Sequence, residues 1–324
     1  MSLPVVTNQL PELRSPLEPL HKLGKSLGLE LWCKRDDLLP HYYGGNKVRK
    51  IFGIMQEAEA QGCDAVVTTG GLQSNHARVA ALAAAERGWP ATLVLHGETE
   101  ADASSGNVFI ARLAGARVVR VTPDEIAEAL EEALAELRAA GFTPFAIPGG
   151  GHSVAGALGY VRAADELASQ ADALGGPADY VILASGTGTT QAGLVVGFER
   201  LGWPVRVYGM SVAREGQRGQ GVVEKACAEL RAHLSSPAPS QPIFFDDRWT
   251  GGGYEQVYPD LLETVRRAAA AGLVLDPTYT GKAFHGLSEL VREGTVAAGS
   301  RVVFWHTGGL MNLLTAPQRE LLLP

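Results

Sequence analysis

The sequence predicts an α/β fold of two doubly wound, open-sheet lobes with a ligand cleft between them. Three observations carry that expectation. Short runs rich in Val, Ile and Leu alternate with longer Ala/Leu/Glu-rich stretches, the order of parallel strands with covering helices. The alternation comes in two series, the second opening at the strand Tyr180–Ala184. Gly- and hydroxyl-rich loops stand at the joints between strands and helices, where doubly wound sheets bind their ligands. A chain of 324 residues, at roughly 150 residues per domain, also fits two domains.

In the first series a strand is expected at Asp64–Thr69, followed by a glycine pair and an Ala-rich helix over Asn75–Arg87. A strand at Ala91–Leu95 leads to a helix near Asn107–Leu113. The strand Arg117–Val121 precedes a helix over Asp124–Ala139, with Thr122 as N-cap and Pro123 at the first helical position. In the second series the strand Tyr180–Ala184 runs into a Gly/Thr loop and a helix at Gln191–Leu201. A strand at Val205–Met210 follows, then helices at Gly221–Leu234 and Asp260–Ala271. The strand Arg301–Trp305 ends in His306–Gly309 and a short helix. Ser235–Gln241 and Thr250–Gly253 read as loops.

Composition excludes several classes. At 46% hydrophobic and 19% charged, the chain is not a disordered one. A net charge of −7, from 28 basic against 35 acidic residues, argues against a basic nucleic-acid-binding face. No apolar run approaches a membrane span, and MSLPVVTNQLPELRSP lacks the pattern of a secretion signal, so a cytoplasmic protein is expected. Cys33, Cys63 and Cys227 form no CxxC pair, so neither a disulfide framework nor a metal site is expected.

Four loops carry candidate chemistry. Gly44-Gly45-Asn46-Lys47 opens a helix running on through VRKIFGIMQEAEA. A lysine in a first helical turn sits at the positive end of the helix dipole, which lowers its amine pKa and suits Schiff-base chemistry. The plain alternative is a solvated lysine. Gly70–Asn75 joins a strand to a helix whose first amides can bind a carboxylate, although Ser74 can equally serve only as a cap. Ser185–Thr190 follows an apolar strand and suits a single phosphate group. It lacks the lysine of a GxxxxGK[ST] loop and the spacing and acidic partner of a dinucleotide fingerprint. His306–Gly309 ends the last strand. Tyr254 and Tyr279 lie in the segments GGGY and LDPTYTGK, where buried core aromatics are the bland reading. An imine-competent lysine, an anion-binding helix start and a monophosphate loop together suit pyridoxal phosphate with an amino-acid substrate.

The motifs also carry a resemblance. KRDD at Lys34–Asp37, GGNKVRK at Gly44–Lys50, QSNHAR at Gln73–Arg78 and GALGY at Gly156–Tyr160 are four of them. TGTTQAGLVVGF at Thr187–Phe198, LDPTYTGKAFHGL at Leu275–Leu287 and HTGG at His306–Gly309 complete the set. In this order they resemble the ACC deaminase/D-cysteine desulfhydrase family of fold-type II pyridoxal-phosphate enzymes, relatives of the tryptophan synthase β chain. The resemblance implies a large cofactor-binding domain of residues 1–47 and 156–324, a small domain of residues 48–155, and a homodimer.

It further implies that Lys47 holds the cofactor and moves the substrate α-proton. Asn75 would bond the ring hydroxyl, Gly186, Thr187, Gly188, Thr189 and Thr190 the phosphate, and the Gln73–Ser74–Asn75 turn the substrate carboxylate. Ser74, Tyr254 and Tyr279 match catalytic or substrate-flanking positions. ACC deaminases resemble one another in a glutamate facing the pyridine nitrogen where this sequence has Thr280, as in the desulfhydrase-like members. Thr280, with Thr307 as a further hydroxyl, would favour a neutral pyridine and a weaker electron sink. That suits β-elimination better than ring opening. His41-Tyr42-Tyr43 and His152 depart from the family pattern and are expected to alter the substrate pocket.

The expected activity is α,β-elimination from a small amino acid, with D-cysteine as first candidate. L-cysteate, D-serine, other β-substituted alanines and ACC itself stay open. A nucleotide-binding oxidoreductase of Rossmann type and a cofactor-binding protein without turnover are the readings from other classes.

Overall fold

The computed structural model describes residues 13–97, 105–236 and 241–322. Ten strands form two sheets. They are β1 (Leu17–Pro19), β2 (Glu30–Arg35), β3 (Ala65–Gly71), β4 (Ala91–His96), β5 (Arg117–Val121), β6 (Pro144–Ile147), β7 (Tyr180–Ser185), β8 (Arg206–Ser211), β9 (Phe244–Asp246) and β10 (Arg301–His306). The six-stranded sheet has the order β1-β2-β10-β7-β8-β9, and the four-stranded sheet the order β5-β4-β3-β6. All neighbours are parallel except β1 and β2.

Strand β7 is buried along its whole length, as a continuous apolar run predicts for a central parallel strand covered on both faces. Its side chains alternate. Val181 and Leu183 join Val303 and Trp305 of β10 beneath the helices Val154–Ser169, Thr189–Leu201 and Gly216–Leu234. Tyr180, Ile182 and Ala184 join Val302 and Phe304 on the other face, beneath Pro259–Ala270 and Thr280–Arg292. The smaller sheet is covered by Asn46–Ala60 and Asn75–Glu86 on one side and by Ile126–Ala139 on the other.

The two sheets meet where the helix Asn46–Ala60 packs on Val154–Ser169. A Cβ on Gly159 would lie 2.1 Å from the carbonyl oxygen of Arg49, so only glycine permits this approach. The carboxyl ends of β7 and β10 therefore face the helix that carries Lys47.

Several expected boundaries shift. The strand expected at Asp64–Thr69 extends through Gly71, so the glycine pair belongs to the strand end. The helix expected from Gln191 begins at Thr189, which moves Thr189 and Thr190 from the loop into the first helical turn. The helix expected from Gly221 begins at Gly216. Thr122 and Glu125 form a capping box around one 3-10 turn, Pro123–Glu125, and the α-helix starts only at Ile126. Residues 237–240 of the expected loop Ser235–Gln241, and residues 1–12 of the expected large domain, lie outside the described residues.

Candidate active site

The loop preceding Lys47 is held from two sides. Gly45 N–H donates to the Asp36 carbonyl at 2.7 Å, and Asn46 N–H to the Thr307 carbonyl at 2.9 Å. Gly44 has φ +66°, and a Cβ there would approach the Asp37 carbonyl oxygen to 2.2 Å. The chain can enter the helix on this path only through glycine.

Lys47 Nζ donates to the Gly150 carbonyl at 3.0 Å. Burial lowers its amine to about 8, partly opposed by a hydrogen bond with Lys50. Lys50, one turn further along the same helix, is 1% exposed and directs its Nζ to the same carbonyl at 3.5 Å. Burial, and then the neighbouring Lys47, push its amine well below the usual value. Beneath them lies His76. The Thr68 hydroxyl donates to the Ile147 carbonyl at 2.7 Å, so it accepts from His76 Nε2 at 2.9 Å. That fixes the proton on Nε2. Burial, followed by the two lysines, holds His76 neutral by depressing its pKa.

A cavity opens beside Lys47. Asn75, Tyr279 and Thr307 line it, together with the turn Ser185–Gly188 and Thr190. The helix Thr189–Leu201 has no side-chain cap, and its first-turn amides lack intrahelical partners. Asn46 Nδ2 donates to Thr190 Oγ1 at 3.1 Å, tying this helix start to the Lys47 loop. Asn75 Oδ1 accepts from Arg78 at 3.1 Å and from Asn107 at 3.2 Å. Two donors fix the amide's orientation and leave Nδ2 as its free donor group. The Thr307 hydroxyl has no hydrogen-bond partner among the described residues.

Other expected site residues are turned elsewhere. Gln73 directs its side chain to the Ser105 carbonyl at 3.1 Å and the Asn107 amide at 2.8 Å, holding that segment and not facing the cavity. Ser74 is the N-cap of Asn75–Glu86, its Oγ accepting from Ala77 N–H at 3.2 Å, so the plain capping role is the one observed. Ser74→Ala is expected to cost about 1 kcal/mol of stability, read as a lowered denaturation midpoint. Thr189 pairs with His152 Nδ1 at 2.8 Å, which sets His152 behind the Gly/Thr turn and away from the tyrosines.

Thr280 is a correction of greater weight. Its hydroxyl donates to Asp276 Oδ1 at 2.7 Å and accepts from the Asp276 amide at 3.0 Å, and it does not line the cavity. Asp276 also accepts from the amides of Thr278, Tyr279 and Thr280, capping the helix Thr280–Arg292. Tyr254 and Tyr279 do meet, hydroxyl to hydroxyl, with rings 5.9 Å apart and edge to face. Of the two, Tyr279 reaches the cavity lining.

Tyr42 stacks on Phe52 at 5.8 Å and bonds Glu86, outside the cavity. Tyr43 is 65% exposed and borders a separate depression with Leu38, Leu310 and Met311. Both have positive φ, 51° and 61°. Sequence reasoning left Lys50 and His76 unassigned. The only available signal was that Lys47 and Lys50 share a helical face.

The profile of a family described as pyridoxal-phosphate dependent enzymes matches residues 9–308. The chain belongs to this family. It is therefore a pyridoxal-phosphate enzyme, and the oxidoreductase alternative falls. A protein of Pyrococcus horikoshii named "Putative 1-aminocyclopropane-1-carboxylate deaminase" is 35% identical over 91% of this chain and 89% of its own length. One of Pyrococcus abyssi with the same name is 36% identical over the same shares. A solved structure described as an ACC deaminase homologue has a TM-score of 0.88 at 33% identity, covering 97% of this chain and 94% of that one. Threonine deaminase isoform 2 from Solanum lycopersicum shares the fold, with a TM-score of 0.64 at 20% identity over 95% and 82% of the two chains. These neighbours make the fold that of fold-type II enzymes.

The residues present fit the cofactor. A depressed lysine amine, an uncapped helix start with a second buried amine beside it, and an oriented amide donor surround one cavity. Among the described residues, no helix is long and apolar enough to cross a membrane.

Proposed function

We propose that the protein is a lyase that eliminates a β leaving group from a small amino acid, D-cysteine first among them. Bound pyridoxal phosphate supplies an electron sink for negative charge at the substrate α-carbon. Lys47 would hold the cofactor covalently and would carry the substrate α-proton. Gly186–Thr190 and the Lys50 amine would hold the phosphate, and Asn75 Nδ2 would donate to the ring hydroxyl. Tyr279 and Tyr254 flank the substrate.

One observation carries the preference for elimination. Among the described residues lining the cavity, none bears a carboxylate. We assign the ring nitrogen to the hydroxyl of Thr307, which lines the cavity, rather than to that of Thr280, which bonds Asp276. A hydroxyl leaves a pyridine neutral, and the weaker sink suits a carbanion that expels its neighbour at once. The names of the Pyrococcus relatives favour a second reading, ring opening and deamination of ACC. Large and small domains divided at residues 47–48 and 155–156, a homodimeric assembly and a cytoplasmic setting complete the proposal.

The test is 2-oxo-acid release by the cofactor-loaded protein from D- and L-cysteine, L-cysteate, D-serine and ACC. Pyruvate with sulfide from D-cysteine, and no 2-oxobutanoate from ACC, is the expected result. Turnover of ACC would remove the argument from the missing carboxylate.

A further inference from the structure

The first turn of the helix Thr280–Arg292 buries a lysine completely, Lys282 being 0% exposed. Its Nζ donates to three main-chain carbonyls, Val212 at 3.1 Å, Thr250 at 2.7 Å and Gly253 at 2.9 Å. An ammonium has three donors, so this arrangement uses all of them. Two of the carbonyls bracket Gly251 and Gly252, both exposed and both with positive φ, +68° and +92°. The two glycines bring no side chains to define the turn. The hydrogen bonds it makes internally are long, 3.4 Å from Gly252 N–H to Thr250 Oγ1 and 3.4 Å from Gly253 N–H to the Thr250 carbonyl. The next residue is Tyr254, whose hydroxyl meets Tyr279, three residues before Lys282.

We propose that Lys282 is a positioning residue of the active site, an internal cation that shapes the Thr250–Gly253 turn and thereby delivers the Tyr254 hydroxyl to Tyr279. The inference rests on the assignment of the two tyrosines to the substrate side. A neutral side chain of the same length would leave the buried Val212 carbonyl without a donor and the Thr250 and Gly253 carbonyls with only their 3.4 Å amide bonds, and the glycines would relax toward water. The third carbonyl, from Val212, belongs to the segment just after β8, whose amide bonds Ser185 at 3.2 Å. Lys282 thus joins the tyrosine-bearing turn to the edge of the Gly/Thr turn that lines the cavity.

Lys282→Met, Lys282→Ala, Tyr254→Phe and the double variant Lys282→Ala/Tyr254→Phe test this in the cofactor-loaded protein. Amide hydrogen exchange over residues 250–256 is expected to quicken by about tenfold or more in both lysine variants, while the cofactor's visible band persists. On the substrate found by the 2-oxo-acid assay, kcat is expected to fall to the level of Tyr254→Phe. The double variant should fall no further, since both changes remove one arrangement. Ethylammonium added to Lys282→Ala should restore part of the slow exchange and part of kcat. Unchanged exchange over 250–256 in Lys282→Met, or losses in kcat that multiply in the double variant, would overturn the proposal. If the wild-type protein turns over nothing in that assay, the functional reading fails, and hydrogen exchange with ethylammonium rescue still decides the role of Lys282. If Lys282→Met does not retain the cofactor, Lys282→Ala supplied with ethylammonium from purification onward gives the same readouts.

Discussion

Lys47→Ala, incubated with pyridoxal phosphate, is expected to show no lysine-linked visible band and no borohydride-stable attachment of the cofactor. Turnover should fall by about 10²–10⁴-fold from loss of the proton carrier alone. The reason lies in the geometry around Gly150. Two buried amines converge on one carbonyl, and Lys47, at 3.0 Å, is the nearer. Lys50 is the control, because its amine lines the same cavity. A borohydride-reducible band surviving in Lys47→Ala would identify Lys50 as the attachment point instead. The same environment gives a pH dependence with a definite sign. Attachment needs the neutral amine, and burial lowers Lys47 to about 8. Below that value the neutral fraction grows about tenfold per pH unit, and above it the fraction saturates. The rate at which apoprotein acquires the visible band should therefore rise toward pH 8 and level off beyond it. A rise continuing unchanged through pH 10 would mean that the attaching lysine is an unperturbed one.

Much of this arrangement was legible in the sequence, and the rest was hidden for identifiable reasons. Strands such as β7 and β10 announce themselves because both faces are buried and the run is uniformly apolar. The helix Val154–Ser169 was not read, since Gly156, Gly159 and the alanines that let it pack closely on its neighbours also blur its periodicity. Lys47, Asn75, Gly186–Gly188 and Thr190, which line one cavity, stand out in the sequence because a loop chemistry and a helix start coincide in each. Thr280 and Gln73 sit within the same motifs, but motif position does not say which way a side chain turns. A buried carboxylate, Asp276, captures the threonine, and the Ser105–Asn107 segment captures the glutamine. Tyr42 and Tyr43 follow the same rule, the first captured by Phe52 and Glu86 and the second left in solvent. Contacts made by residues far apart in sequence decide these cases, and no local pattern encodes them.

Asp36→Ala is expected to lower stability by about 3–5 kcal/mol, because it removes one of the two carboxylates that pair with the buried Arg49, the other being Glu166, and leaves the Ser15, Tyr160 and Trp305 donors without their acceptor. That is a large part of the roughly 5–15 kcal/mol available to a folded protein. Asp36 is 0% exposed and accepts from five groups. Arg49 donates to it twice, at 2.9 and 2.8 Å, with Ser15 at 2.8 Å, Tyr160 at 2.7 Å and the Trp305 indole at 2.8 Å completing the set. Burial alone would raise its carboxyl pKa, but the Arg49 guanidinium, with bonds from Arg49, Trp305 and Tyr160, holds it below the ordinary value. A depressed carboxyl stabilises the fold above its unfolded pKa, and that contribution is lost as pH falls through the folded value. Denaturant midpoints should therefore separate widely at neutral pH and converge in acid. The change should also reach the site. Arg49 lies two residues beyond Lys47, and Trp305 two residues before Thr307. Asp36 consequently sets the separation of the two sides of the cavity through Arg49 and Trp305. Tyr160→Phe is the control, since it removes one donor of five and should cost only about 0.5–1.5 kcal/mol. Equal midpoints for wild type and Asp36→Ala would refute this role for the network. A loss in Asp36→Ala no larger than in Tyr160→Phe would assign the stability to the hydroxyl alone, and the Lys47 helix would then be held by packing against Gly159 rather than by the buried ion pair.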